Sequence, residues 1–353
     1  MLEKLFMKIS FGSASLVLLL LMGIFTTLFL AAKPAIDEYG LGFLGESRWN
    51  TQVVVDGGEE PAQKAVANEE DEGEALLEND ESEDDEALLE EDGADDELMS
   101  DDELMGDDEL LEDEEESTAD TKSTTSTIYG GLVPIVGTIL STLIAMLFAV
   151  PIAMGIAVFL AEIAPKNISY PVGIAIELLA AIPSIIFGMW GLFYFAPIVS
   201  DLFGGYQVSL LTAGLVLGVM VLPFMAAITR DSMNTTPDIL KESAYALGAT
   251  KFEVIKDVIF PYSKVGIIGS IILSLGRALG ETMAVAFLIG AIYNIPEHIT
   301  DPTISIPVAM AVNFGEASGL GESALFYLGL ILFVFSFGLI SFAKFYFLKR
   351  NKS

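Results

Sequence analysis

Six apolar runs, at 11–32, 132–160, 172–199, 210–229, 265–292 and 324–347, alternate with polar stretches along this chain. A helix needs about 20 apolar residues to cross the hydrocarbon, and it can do so because it satisfies its own backbone polar groups. The pattern therefore predicts an all-α integral membrane protein with six transmembrane helices. Pro151, Pro183 and Pro223 fall inside these runs. Neighbouring helices can satisfy the carbonyls that prolines free, so kinks are expected there rather than breaks. The first run follows Lys4 and Lys8 and exceeds the roughly 7–15 residues of a signal-peptide core. Pro34, and a leucine three residues before a cut after Ala32, also disfavour cleavage, so an uncleaved first span is expected.

Between the fourth and fifth runs the pattern reads as helix, glycine, helix. Thr235-Thr236-Pro237-Asp238 supplies a cap and a proline for the first turn, and Ile239, Leu240, Ser243, Ala244 and Leu247 form a short apolar stripe that stops at Gly248. Thr250-Lys251-Phe252-Glu253 is a capping box, so a second short helix is expected until Pro261 ends it. Two short helices about a glycine corner make a knob protruding from a membrane face.

The fifth run carries the charge that changes the picture. Arg277 falls about midway along it, where an arginine costs on the order of 2.5–3.5 kcal/mol and cannot shed its proton. At 100° per residue, Ser270, Ser274, Arg277 and Glu281 share one strip, and Gly269, Gly276 and Gly280 share another about a quarter-turn away. The glycine strip would let a neighbouring helix approach closely, leaving the polar strip on a cavity or polar seam. A guanidinium and serine hydroxyls are donors suited to an oxyanion, with Glu281 holding Arg277 between substrates. The same residues are equally compatible with a structural i, i+4 ion pair. Glu177 is expected at the N-terminal end of its helix, where a carboxylate suits the dipole, and Glu162 and Lys166 read as ordinary boundary residues. Phe187, Trp190, Phe193, Tyr194 and Phe195 read as packing and interfacial aromatics, and Trp49 is open to the same reading.

Glu242-x-Ala244-x3-Gly248, followed after nine residues by Val258-x-x-Pro261, resembles the cytoplasmic EAA loop of permease subunits of binding-protein-dependent ABC importers. Gly276-Arg277-Ala278-Leu279-Gly280-Glu281-Thr282-Met283-Ala284-Val285, with Glu177 to Ser184 upstream, resembles the phosphate-specific permease family of the PstC type. The likeness covers about 1–50 and 128–348. It implies a type I importer (MetI-like) permease fold and uptake of inorganic phosphate. It further implies a sister permease of the PstA type, two ATPase subunits of the PstB type seated on the loop, and an extracytoplasmic phosphate-binding protein of the PstS type. Glu242, Ala244, Gly248 and Pro261 would couple to the ATPase, and Arg277, Glu281, Ser274 and Ser270 would line the substrate path. Permeation of sulfate or molybdate, and a scaffold or sensor role in phosphate signalling, remain as alternatives.

Charge divides the chain. Residues 51–127 hold 33 Asp and Glu against Lys64 and Lys122, a net −31 that leaves −2 for the other 276 residues. Three hexads, beginning at Asp95, Asp101 and Asp107, repeat within it. Such density of like charge with sparse Leu and Met predicts disorder, and without EF-hand spacing it offers at most a weak sink for hard cations. The organisation expected is 1–50, a first helix and following segment; 51–127, an acidic extracytoplasmic insert; and 128–353, the permease core with its loop at about 237–261. With the N-terminus in the cytoplasm, twelve of 17 Lys and Arg fall on inside segments, and the short outside loops at 200–209 and 293–323 have none. Both termini are thus expected in the cytoplasm of a bacterial inner membrane, as is the knob. No basic footprint suggests nucleic acid. Zero Cys and a single His298 leave little for a metal or triad site, no P-loop is present, and neither cofactor nor catalytic residue is expected.

Overall fold

The computed structural model of the chain describes residues 2–55 and 124–349. Helix α1 (Leu2–Tyr39) runs straight through Pro34, and strands β1 (Trp49–Val55) and β2 (Thr124–Tyr129) pair as a two-stranded ribbon. Helix α2 (Leu132–Val158) continues through a π turn at Phe159–Ile163. Next come α3 (Lys166–Ala180), α4 (Ser184–Trp190), a π turn at Gly191–Phe195, α5 (Ala196–Phe203) and α6 (Leu210–Asn234). The knob holds α7 (Asp238–Ala246) and α8 (Lys251–Glu253), and a π turn at Val254–Ile259 leads into α9 (Phe260–Leu279). Helices α10 (Met283–Ala286), α11 (Ile306–Asn313) and α12 (Leu320–Lys349) complete the described residues. By internal contacts, 1–53 with 127–353 form one unit and 54–126 another. The expected disorder of 51–127 concerns residues that lie, apart from the two ribbon strands, outside those described.

Among the described residues six helical stretches are long and apolar enough to cross a membrane: Phe6–Leu44, Leu132–Ile163, Ser184–Phe203, Leu210–Asn234, Lys251–Leu279 and Leu320–Phe345. The central one is α6, with 67% of its most apolar window buried against 28% or less for the others. Ser209 caps it by accepting from the Thr212 backbone N–H. Its tightest neighbour is α2, because small residues face each other there. A side chain at Gly214 would meet Ile144, and one at Gly218 would meet Phe148 and the Ala145 carbonyl. This Gly-x3-Gly pair lets the two helices approach over Ala145, Ala149 and Ala153.

Two of the expected spans differ from what forms. The run at 172–199 is not one helix but α3 and then α4–α5. Residues Ala181 and Ile182 close a tight turn onto Leu178 and Leu179, and Pro183 disfavours helical backbone at the residue before it. The run at 265–292 is also cut short. Its helix begins far earlier, at Lys251, and ends at Leu279 with Gly280 as C-cap. Pro261 does not end a helix. It sits in the first turn of α9, just after the π turn, whose wider ring relieves the clash that a proline makes with the preceding carbonyls.

Outside the bundle of α2, α6 and α9, α1 lies along α12, with Phe25 and Phe333 rings 5.9 Å apart. Phe43 stacks against Tyr327 at 4.6 Å, and the Tyr327 hydroxyl donates to the Gly40 carbonyl at 3.0 Å. Trp49 is half-buried. It stacks on Tyr293 with ring centroids 5.1 Å apart and meets Tyr129 edge-on at 5.1 Å. Burial there pushes the Tyr293 hydroxyl well above the ordinary tyrosine pKa.

Candidate functional site

The knob forms as its local chemistry dictates. Pro237 occupies the N-cap of α7, Gly248 takes φ +88°, and the Thr250 hydroxyl and Glu253 carboxylate exchange hydrogen bonds with each other's backbone N–H. The inner side of the knob, Ala244 and Ala249, packs on a small cluster of Val254, Ile255 and Ile259 with Met233 and Ala157. Its outer side is apolar and bare: Ile239, Leu240, Tyr245, Leu247 and Phe252 are exposed, Leu247 at 89%. Glu242 is exposed beside them, Ala244 is half-buried, and Pro261 lies a turn beyond, where the helix enters the bundle. Singly exposed leucines are ordinary, but a cluster this dense on a projecting element marks a docking surface.

Two ion pairs tie the base of this region together. The Lys241 ammonium of α7 donates to Glu162 Oε1, in the π turn ending α2, at 2.6 Å, with both side chains mostly buried. Arg230 at the foot of α6 donates to Glu177 Oε1 at 2.8 Å and to its neighbour Asp231, and its guanidinium lies across Gly173. Glu177 is therefore not at the start of a helix. It stands in the last turn of α3, where the dipole disfavours a carboxylate, and Arg230 supplies the compensation. Glu162 is likewise more than a boundary residue. Neither pairing is visible in a linear reading, since their partners are 79 and 53 residues away.

The polar strip on α9 separates into two environments. Ser270 and Ser274 are fully buried. The Ser270 hydroxyl donates to the Ile267 carbonyl at 2.8 Å and accepts from Thr229 of α6 at 2.7 Å. One turn on, Ser274 Oγ has no partner among the described residues. Arg277 lies in the last turn of α9 rather than at mid-helix, half-buried, and opens onto a cleft of about 420 Å³ lined by Phe224, Ile272, Leu273, Gly276 and Ile340. Its guanidinium carbon sits 5.4 Å from the centre of the Phe224 ring, and among the described residues it forms no ion pair. Glu281 does not hold it. The helix stops between them, and Glu281 Oε1 instead accepts the Ala284 N–H of α10 at 3.3 Å. Of the three glycines expected to admit a neighbouring helix, Gly276 alone faces one, against Ile340 of α12. Where α9 packs on α6, a side chain at Gly266 would meet Ser232. Among the described residues no cluster of His, Asp and Glu could hold a metal ion.

A bundle of helices long and apolar enough to cross a membrane, an exposed apolar knob between two of them and a cation near the end of one together describe a membrane permease. The sequence profile of the binding-protein-dependent transport system inner membrane component matches residues 123–352, and the chain belongs to that family. It is an inner-membrane, multi-pass protein of that class. Among individual relatives it is 48% identical over 244 residues to the phosphate transport system permease protein PstC of Pasteurella multocida, covering 64% of this chain and 76% of that one. It is 48% identical over 226 residues to the protein of the same name from Haemophilus influenzae, covering 58% and 72%. To the probable phosphate transport system permease protein PstC of Methanocaldococcus jannaschii it is 37% identical over 243 residues, covering 63% and 76%. Among solved structures, an inward-facing MetNI methionine ABC transporter aligns with TM-score 0.49 and 20% identity over 61% of this chain and 93% of that one.

Proposed function

We propose that this chain is the permease subunit of an ATP-driven importer of inorganic phosphate. The substrate is supported by its 48% identity to a phosphate permease over 76% of that relative's length. The role of the site is supported by one observation: an arginine near the end of a spanning helix, with no carboxylate partner among the described residues and an open cleft before it. A permanently charged group in a spanning segment is costly without a counter-charge, and an anion in transit or a sister subunit would supply one. A guanidinium presents paired donors that match two oxygens of an oxyanion.

The remaining parts follow from that reading. A sister permease subunit of the PstA type completes the pathway, and an extracytoplasmic binding protein of the PstS type delivers phosphate. Two ATPase subunits of the PstB type seat on the apolar faces of the knobs, with Glu242, Ala244, Gly248 and Pro261 in the contact or its frame. ATP is hydrolysed on those partners. Both chain termini and the knob lie in the cytoplasm, as the distribution of Lys and Arg supports. The domain organisation is 1–50, 51–127 and 128–353, with the insert on the extracytoplasmic side.

Radiolabelled phosphate uptake in phosphate-starved cells lacking their own version of this subunit tests the reading. The intact chain is expected to restore uptake. Arg277→Gln is expected to lower it at least tenfold at equal membrane level, and a hundredfold excess of sulfate is expected not to compete. Equal uptake by Arg277→Gln returns Arg277 to a structural role, and competition by sulfate replaces phosphate as the substrate.

A further inference from the structure

The knob is fastened to the bundle in two ways that differ mechanically. Toward α9 the knob is continuous with the bundle, since α8 runs through the π turn at Val254–Ile259 into α9 and carries push and pull alike. The apolar cluster under Ala244 and Ala249 also reaches Ala157 of α2, but such packing transmits a push, because atoms cannot interpenetrate, and resists separation weakly. Toward α2 the fastening is the Lys241–Glu162 pair at 2.6 Å, with side chains only 17% and 10% exposed. A mostly buried pair transmits a pull as well, since parting it would strand both charges away from water. Asp238, the other acid near Lys241, is 4.0 Å away and 89% exposed, so it is a poor substitute.

From Glu162 the contacts continue in one direction. Glu162 lies in the π turn at Phe159–Ile163, and the Leu160 carbonyl of that turn accepts a 2.6 Å hydrogen bond from Ser169 of α3. At its far end α3 is held by Glu177 to Arg230 of α6 at 2.8 Å. Just beyond Glu177, at 181–183, helical hydrogen bonding lapses before α4 begins. Helix α3 is thus a short lever with a pivot at its C-terminal end and a hydrogen-bonded drive point near its N-terminal end.

We propose that Lys241 and Glu162 are positioning residues that carry the knob's movement to the α2–α3 corner, so that α3 swings about 181–183 in step with α9. The continuous helix from α8 drives α9, while the ion pair drives α3 and draws it back. Without the pair, ATP is hydrolysed but only half of the bundle follows. This rests on the knob being the ATPase dock, as proposed above.

The test uses the assembled transporter in proteoliposomes, measuring phosphate taken up per ATP hydrolysed. Glu162→Gln and Lys241→Gln are expected to keep hydrolysis within twofold while the ratio falls at least tenfold. Lys241→Arg is expected to keep the ratio within threefold, and so is the charge exchange Glu162→Lys with Lys241→Glu, made with Asp238→Asn to remove the neighbouring like charge. If the Gln variants fail to assemble, Lys241→Arg and the exchange decide. An unchanged ratio in the Gln variants overturns the proposal, as does an assembled exchange variant no better than they are.

A second readout is independent of the substrate. The chain contains no cysteine, so with cysteine-free partner subunits Tyr170→Cys and Leu202→Cys, both exposed, can be spin-labelled uniquely. Their separation is expected to change on vanadate trapping in the otherwise intact chain and not in Glu162→Gln. A chain that moves no phosphate yet shows this pattern defeats the phosphate reading and supports the proposal. A distance change that persists in Glu162→Gln overturns the proposal whatever the substrate is.

Discussion

Arg277 and lysine at the same place would carry equal charge but not equal donors. A lysine offers a compact, strongly hydrated point charge, whereas the guanidinium presents a planar fork and can lie on the Phe224 ring. Arg277→Lys is therefore expected to reduce uptake at least tenfold at unchanged membrane level, and near-normal uptake would show that charge alone suffices. At the opposite kind of position, Gly137 of α2 faces the Ile304 backbone carbonyl so closely that a Cβ has no room. A carbonyl fixed in the segment before α11 cannot yield as a flexible side chain does. Gly137→Ala is expected to destabilise the membrane body by about 1–3 kcal/mol, the range for overpacking, read as a melting temperature lowered by several degrees in the purified protein. No change in melting would mean that the segment around Ile304 relaxes without cost.

The knob is an element whose shape rests on two local devices. Gly248 holds φ +88°, which proline cannot adopt because its ring fixes φ near −65°. Gly248→Pro is expected to abolish uptake while leaving insertion intact, since the spanning helices do not pass through this corner. Undiminished uptake would detach the knob from coupling. The Thr250 hydroxyl caps α8, and Thr250→Ala is expected to cost about 0.5–2 kcal/mol of local stability. Faster amide exchange confined to residues 250–256 would report it, and unchanged exchange would assign the helix start to Glu253 alone. Arg230 and Glu177 act at the same scale. They hold the carboxylate end of α3 against the foot of α6 while nothing helical spans 181–183.

The whole molecule divides a compact membrane body from an acidic insert. Tyr129 meets Trp49 and Asn50 at the start of β1, so the end of β2 lies beside the beginning of β1, as in an antiparallel pair. The strands can then be joined by a short turn at their other ends. Replacing 56–123 with a Gly-Ser turn is expected to leave phosphate uptake within twofold, because the dense like charge and sparse apolar residues of that segment suit it poorly to packing on a membrane body. Loss of uptake at equal membrane level would give the insert a role in delivery.

Much of this protein was legible in one dimension because the forces involved are local. The number of candidate spans, six among the described residues, was legible in the apolar runs, since crossing lipid requires only length and apolarity, although two of the runs have other bounds in the structure. The knob followed from a capping box and a positive-φ glycine, each acting within four residues, whereas the expected threonine cap of α7 does not form and Pro237 itself takes the N-cap position. The Arg277 strip was also visible, but its surroundings were not. The end of α9 at Leu279 leaves Glu281 beyond the helix, where it accepts the Ala284 N–H instead of facing Arg277. The division of 172–199 at Pro183 likewise needed a partner, since Arg230 compensates the helix end that the break exposes. Lys241 and Glu162 belong to segments 79 residues apart. Local sequence fixes which stretches are helical and which positions are costly to leave uncompensated, whereas the identity of each compensating group depends on which helices pack together, a property of distances through space.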